Sequence, residues 1–135
     1  QIPILREKTK MFFTVDTLEY LIKGGRIGKI SGGIGEFLNL KPIIMMNEEG
    51  KYTTYTKVRG TNKAVNTLIQ LAHDILDKAK GTAVIVTGTM LKEAEELKNT
   101  LIKHPNITFT RIATMTPVVG VHSGPRLLGF AILED

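Results

Sequence analysis

The chain has 135 residues, 42% hydrophobic and 23% charged, with a formal net charge of +5, the size and balance of one globular domain that can bury a single core. It has no cysteine, which excludes a disulfide framework, a thiol nucleophile and Cys-ligated zinc and is compatible with a cytoplasmic setting. No apolar stretch approaches the roughly 20 residues that span a bilayer, and the positive excess favours an anionic partner.

Lysines and arginines are dispersed, and three Tyr with no Trp leave little to stack on bases, so nucleic acid is a poor fit. The start, Gln1-Ile2-Pro3, lacks the charged and apolar blocks of a signal peptide, and the absence of an initial Met suggests a processed chain or a piece of a longer one. Met11 to Val15 is short, apolar and β-prone, and reads as a buried strand. Asp16, with Glu19 three residues on, has a capping-box pattern. Leu18, Leu21 and Ile22 then fall at helical spacing, and Gly24 is the expected stop.

Gly24-Gly25-Arg26-Ile27 lets the backbone turn sharply. It then presents the planar Arg26 guanidinium, which suits a carboxylate or phosphate; the plain alternative is a helix cap followed by a surface Arg. Ser31-Gly32-Gly33 has no Gly-Lys-Ser/Thr and so is no phosphate loop. A short apolar helix through Ile34, Phe37, Leu38 and Leu40 is expected to end at Lys41-Pro42. Ile43–Met46 and Lys51–Arg59 read as a hairpin. Tyr52, Thr54, Thr56 and Val58 would share one face of the second strand. Lys57 and Arg59 would form a basic patch beside Tyr55 on the other, or a merely solvated face.

Thr61 to Lys80 carries a helical stripe through Val65, Leu68, Ile69, Ala72, Ile75, Leu76 and Ala79, capped by Thr61 or Asn62 and stopped by Gly81. His73 beside the stripe has no carboxylate or second His at ligand spacing, so a structural role is expected. Thr82–Thr87 is an interior strand. Thr89 is the expected cap of a helix to about His104, whose imidazole suits the helix dipole. Strands over Ile107–Ile112 and Leu127–Leu133 complete the chain. The sum is an α/β domain with a mixed sheet of about six strands, three or four helices, and helices mainly on one face.

Between the last two strands lies Thr116-Pro117-Val118-Val119-Gly120-Val121-His122-Ser123-Gly124-Pro125-Arg126. The valines favour a strand, but Thr116-Pro117 favours the start of a short helical turn. His122 can donate a hydrogen bond or carry charge near neutral pH. Ser123 adds a hydroxyl and an N–H, and Gly124 can take angles closed to other residues. These groups can hold a carboxylate, or His122 can simply fill a loop. Nothing in the sequence points to a metal or cofactor.

Asp16-Thr17-Leu18-Glu19-Tyr20-Leu21-Ile22-Lys23-Gly24-Gly25-Arg26-Ile27, then Lys41-Pro42-Ile43, Lys57-Val58-Arg59 and His122-Ser123-Gly124-Pro125 resemble, in order and spacing, the motifs of the DegV family of fatty-acid-binding proteins. The resemblance runs from about Phe12 to Leu133. It implies the C-terminal, two-layer α/β domain of a two-domain carrier, with a missing N-terminal domain supplying further hydroxyl ligands. It implies a long-chain fatty acid whose carboxylate meets His122, Ser123 and Gly124, with Arg26 nearby. It further implies a fatty-acid kinase partner that converts the presented acid to an acyl phosphate, with Lys57 and Arg59 as the docking face. Two departures stand out: Ser123 replaces a Thr, and Arg126 stands where the family has a glycine.

A fatty acid needs a narrow apolar slot with polar groups at one end. Ile27, Ile30, Ile34, Phe37, Leu38, Met45 and Met46 are the candidate wall, Met being adaptable to a flexible ligand. The expected function is therefore lipid binding without catalysis, in a bacterial, cytoplasmic protein of phospholipid metabolism. Alternatives are a small enzyme with His122 as general acid or base, for which no neighbouring carboxylate is evident, or a regulatory domain for another anion. A face that normally packs on an N-terminal domain would be apolar and exposed, so a homodimer through that face is also expected.

Overall fold

The computed structural model describes residues 2–17, 20, 23, 40–116 and 124–135. The elements are α1 (Ile2–Lys8), β1 (Thr9–Val15), β2 (Leu40–Met46), β3 (Tyr52–Arg59), α2 (Thr61–Leu76), β4 (Gly81–Thr87), α3 (Leu91–Leu101), β5 (Ile107–Thr114) and β6 (Leu127–Glu134). The six strands form one sheet in the order β3-β2-β1-β6-β4-β5. Only β4 and β5 are parallel; the other neighbours run antiparallel. The expected α/β domain with a six-stranded mixed sheet is what forms, and α2 and α3 share one face of it.

The apolar stripe of α2 produces this layer. Ala64, Val65, Leu68, Ala72 and Leu76 are buried, as are Ala94, Leu97 and Leu101 of α3. They pack on Ile43, Ala83, Ile85, Leu128, Phe130 and Ile132 of the sheet. A strand alternates its faces, so Phe13, Val15, Ile44 and Leu127 point the other way. There they form a second buried cluster with Tyr52, Val86 and Met115 at its border. The Phe13 and Tyr52 rings meet edge-to-face at 5.3 Å.

Several boundaries differ from the sequence reading, each for a physical reason. Lys41 and Pro42 do not end a helix; they belong to β2. Pro42 is tolerated because pairing with β1 begins only at Ile43, so the missing N–H faces no ladder partner on that side. The second hairpin strand does not alternate cleanly. The register slips between Ile43 and Ile44, leaving Tyr55 as an extra residue, and a one-residue slip flips every following side chain. Tyr52 therefore joins the Phe13 cluster, while Val58 joins the helix-side core. Tyr55 packs on Phe12, 5.4 Å between ring centroids, and not beside Lys57 and Arg59.

α2 ends at Leu76 rather than Lys80. Asn106 donates its side-chain N–H to the Leu76 carbonyl at 2.7 Å, and Gly60, not Thr61 or Asn62, is the N-cap. Gly81 is the first residue of β4. Helix α1 had no signal in the sequence reading: its Ile4 and Leu5 are exposed, so it has no apolar stripe facing a core. Arg6 ties it to the hairpin turn by donating to the Glu48 carbonyl at 3.0 Å.

Thr89 does not cap α3. The buried Thr87 hydroxyl accepts the Met90 N–H at 3.1 Å and donates to the Leu127 carbonyl at 2.8 Å, joining the end of β4 to the start of β6. Thr87→Val keeps the shape and leaves both partners unsatisfied, an expected loss of about 2 kcal/mol. Urea denaturation checks this; an unchanged midpoint would show that the hydroxyl contributes nothing.

His104 likewise lies beyond α3. Its Nε2 meets Asp77 Oδ1 at 2.8 Å, its Nδ1 accepts the Asn106 N–H at 3.1 Å, and its ring lies 5.2 Å from that of His73. His104 thus joins the end of α2 to the turn before β5.

Candidate functional site

Both stretches that carry the sequence-predicted site residues spring from one end of the sheet. Residues 16–40 leave from the end of β1 and return at the start of β2. Residues 115–126 leave from the end of β5 and return at the start of β6. The β4-to-α3 turn lies at the same end, beyond the carboxyl ends of the two parallel strands, where open α/β sheets place ligand crevices.

A charge cluster joins the roots of both stretches. Lys41 Nζ meets Asp16 Oδ1 at 2.8 Å and donates to the Asp16 carbonyl at 3.1 Å. Arg126 Nε lies 3.5 Å from Asp16 Oδ2, and the Asp16 N–H donates to the Arg126 carbonyl at 3.2 Å. Two cations against one carboxylate leave this three-residue cluster with a net charge of +1. Arg126, the departure from the family glycine, thus has a partner in Asp16.

The Gly124-Pro125-Arg126 turn is held from below. Thr89 donates both its N–H, at 2.9 Å, and its hydroxyl, at 3.2 Å, to the Pro125 carbonyl. Gly88 lies so close under this turn that a Cβ there would collide with the Pro125 carbonyl oxygen and the Met115 methyl. Gly124 has φ +83°, and a Cβ on it would lie 2.6 Å from Tyr20 Cδ2. Glycine is therefore required at 124 both by its backbone angle and by the Tyr20 ring above it. This contact sets Tyr20 of the Asp16–Ile27 motif against Gly124 of the His122–Pro125 motif.

Of the predicted carboxylate ligands, Gly124 is described and sits at this junction. His122, Ser123 and Arg26 lie outside the described residues, as do Ile27, Ile30, Ile34, Phe37 and Leu38 of the predicted slot and the turn expected after Thr116. Met45 and Met46 lie toward the opposite end of β2, Met46 about 16 Å along the strand from Lys41 at roughly 3.3 Å per residue. Met45 is across from Phe12. Together with Met11 these residues line an open groove of about 730 Å³ between α1, β1 and the hairpin turn. Lys57 and Arg59 flank the helix-side Val58 and so present to the other face, that of the Phe13 cluster.

Sequence reasoning missed the Asp16–Lys41–Arg126 cluster and the Thr87, Gly88 and Thr89 support. Asp16 and Lys41 are 25 residues apart, and no local spacing rule connects them. Among the described residues no group of three or more His, Asp or Glu is placed to hold a metal ion, and no helix is long and apolar enough to cross a membrane.

The DegV family model matches residues 1–135. A DegV domain-containing protein of Clostridium acetobutylicum is 44% identical over 135 residues, covering 99% of this chain and 48% of that protein. The chain thus spans about half the length of the curated relatives it matches. The crystal structure of a fatty acid binding DegV family protein from Streptococcus agalactiae superimposes with a TM-score of 0.84 at 31% identity, over 99% of this chain and 47% of that one. A stearic acid-binding protein from Eubacterium ventriosum gives a TM-score of 0.79 at 28% identity, over 96% and 46%.

Proposed function

The chain belongs to the DegV family, and from that premise we propose that it forms the acyl-binding half of a long-chain fatty-acid carrier. The observation that carries the reading is the 31%-identical fold match to a fatty acid binding protein of the same family. The geometry supports it. Both motif-bearing stretches root at one end of the sheet, beside the Asp16–Lys41–Arg126 cluster of net charge +1 and next to Val15 and Leu127 of the buried apolar face.

In this reading His122, Ser123 and Gly124 hold the carboxylate, with Arg26 beside them, and Ile27, Ile30, Ile34, Phe37 and Leu38 wall the acyl chain. The described face adds Phe13, Val15, Ile44 and Leu127 to that wall, with Met46 toward its far end; Met45, across from Phe12, points to the helix side and lies outside this wall. Each buried methylene contributes about 0.8 kcal/mol. The carboxylate must be hydrogen-bonded or paired, or its burial cancels that gain.

The wider role is binding without catalysis in the bacterial cytoplasm: a carrier completed by a second, N-terminal half presents the acid to a fatty-acid kinase, and the Lys57 and Arg59 side is the docking face. The test is calorimetric titration of a C16 acid into the delipidated protein and into His122→Ala. Loss of a hydrogen bond to a charged group predicts affinity at least about tenfold weaker in the variant. Equal affinities would remove His122 from the carboxylate site. Turnover of the acid, abolished in the variant, would make His122 a catalytic acid or base instead.

A further inference from the structure

The outer edge of β5 has no partner among the described residues. Its sequence, Ile107-Thr108-Phe109-Thr110-Arg111-Ile112-Ala113-Thr114, is rich in β-branched and apolar residues, contains no proline and carries a single charge. Such an edge offers a row of unsatisfied N–H and C=O groups to another strand. Natural sheets guard their edges with prolines, bulges and several charges. β5 has one bulge, at Thr108 near its start, where the register with β4 slips.

The side chains specify what fits. Phe109 and Arg111 lie across from Thr82 and Val84 and so share the face away from α2 and α3. Phe109 is 56% exposed, and Leu133, across from Thr82 on β4's other side, is 37% exposed. A second β5 can extend the sheet with its helices on the same side only if two odd-numbered or two even-numbered residues oppose each other. Centred on Arg111, the pairing sets two guanidinium groups against each other, which is repulsive. Centred on Thr110, it sets Arg111 of each copy over Phe109 of the other. This is a reciprocal cation–π arrangement that also removes two exposed rings from water. Centred on Phe109, it pairs fewer residues of the strand.

We propose that β5 is a self-association edge: two copies of this chain pair their β5 strands antiparallel about Thr110, with Phe109 and Arg111 in reciprocal contact, to form a continuous twelve-stranded sheet. The pairing is independent of the fatty-acid reading. A typical specific interface buries about 800 Å² per partner, more than one strand edge provides, so the dimer forms only at high protein concentration.

Sedimentation equilibrium of the 135-residue chain, with hydrogen exchange at the same concentrations, tests this. The expected result is a monomer–dimer equilibrium in which protection of the 107–114 amides rises with concentration. The register is tested by a pair of substitutions at one exposed position. Phe109→Lys sets a cation opposite Arg111 and should weaken the dimer at least about tenfold. Phe109→Glu sets an anion there and should keep a dimer that weakens as salt is added. A chain that stays monomeric at millimolar concentration would overturn the proposal. So would a dimer whose β5 amides gain no protection, or one that Lys and Glu at position 109 weaken equally.

Discussion

Phe130→Ala is expected to lower the unfolding free energy by about 3–5 kcal/mol. Among the described residues Phe130 is the largest fully buried side chain, 1% exposed. It lies mid-sheet, across from Phe12 on β1 and Ile85 on β4, with the Phe12 ring 5.8 Å away. Its side chain faces the α2–α3 layer, so truncation opens a cavity that strands tied on both sides cannot close. A domain of this size is stable by only about 5–15 kcal/mol, so the variant should unfold at markedly lower urea or fail to fold at ordinary temperature. Ile102→Ala, at a 58% exposed position, should change stability by less than about 0.5 kcal/mol. Similar losses in the two variants would mean that the core is not centred where the sheet meets α2 and α3.

Gly88→Ala is the second large effect, and it reaches the site. The added methyl meets backbone, the Pro125 carbonyl oxygen, which cannot swing aside as a flexible side chain can. Either the β4-to-α3 turn or the Gly124–Arg126 turn must move, and the two Thr89 bonds to Pro125 must lengthen. Overpacking of this kind costs about 1–3 kcal/mol. Because the displaced turn joins the His122–Pro125 motif to Tyr20, fatty-acid retention should fall with stability. Thr87→Val, by contrast, should lower stability through α3 and β6 while affecting retention less. Retention of lipid at the wild-type level in Gly88→Ala would separate the Pro125 turn from the ligand site.

Elements with a strong period were legible in the sequence: β4 from its unbroken apolar run, and α2 from a stripe of which Val65, Leu68, Ala72 and Leu76 are buried, Ile69 and Ile75 partly so, while Ala79 lies past the helix end. Elements whose ends depend on remote partners were not. The end of α2 depends on Asn106, and α3 takes its first N–H partner from a strand threonine. The strand character of Pro42 depends on where β1 stops pairing, and the faces of β3 depend on the Tyr55 bulge. Helix α1 was invisible because it buries no stripe of its own.

The same division holds for the site. Local motifs marked the Asp16–Ile27 and His122–Pro125 stretches and made a family resemblance readable. The Asp16–Lys41–Arg126 cluster and the fit of Gly88 under Pro125 join residues far apart in sequence, and only the topology brings them together. Arg126 read in the sequence as a departure from the family glycine, and the fold gives it a counter-ion in Asp16.

The central claim, that the chain is the acyl-binding half of a fatty-acid carrier, is tested most directly by native mass spectrometry of the protein purified from a bacterial host, followed by lipid extraction. The account predicts a bound species of roughly 250–300 Da, a C16–C18 acid whose buried methylenes, at about 0.8 kcal/mol each, hold it through purification, and predicts that His122→Ala carries less of it. A protein that is lipid-free, and that still takes up no C16 acid when the N-terminal half of a DegV relative is supplied, would contradict it.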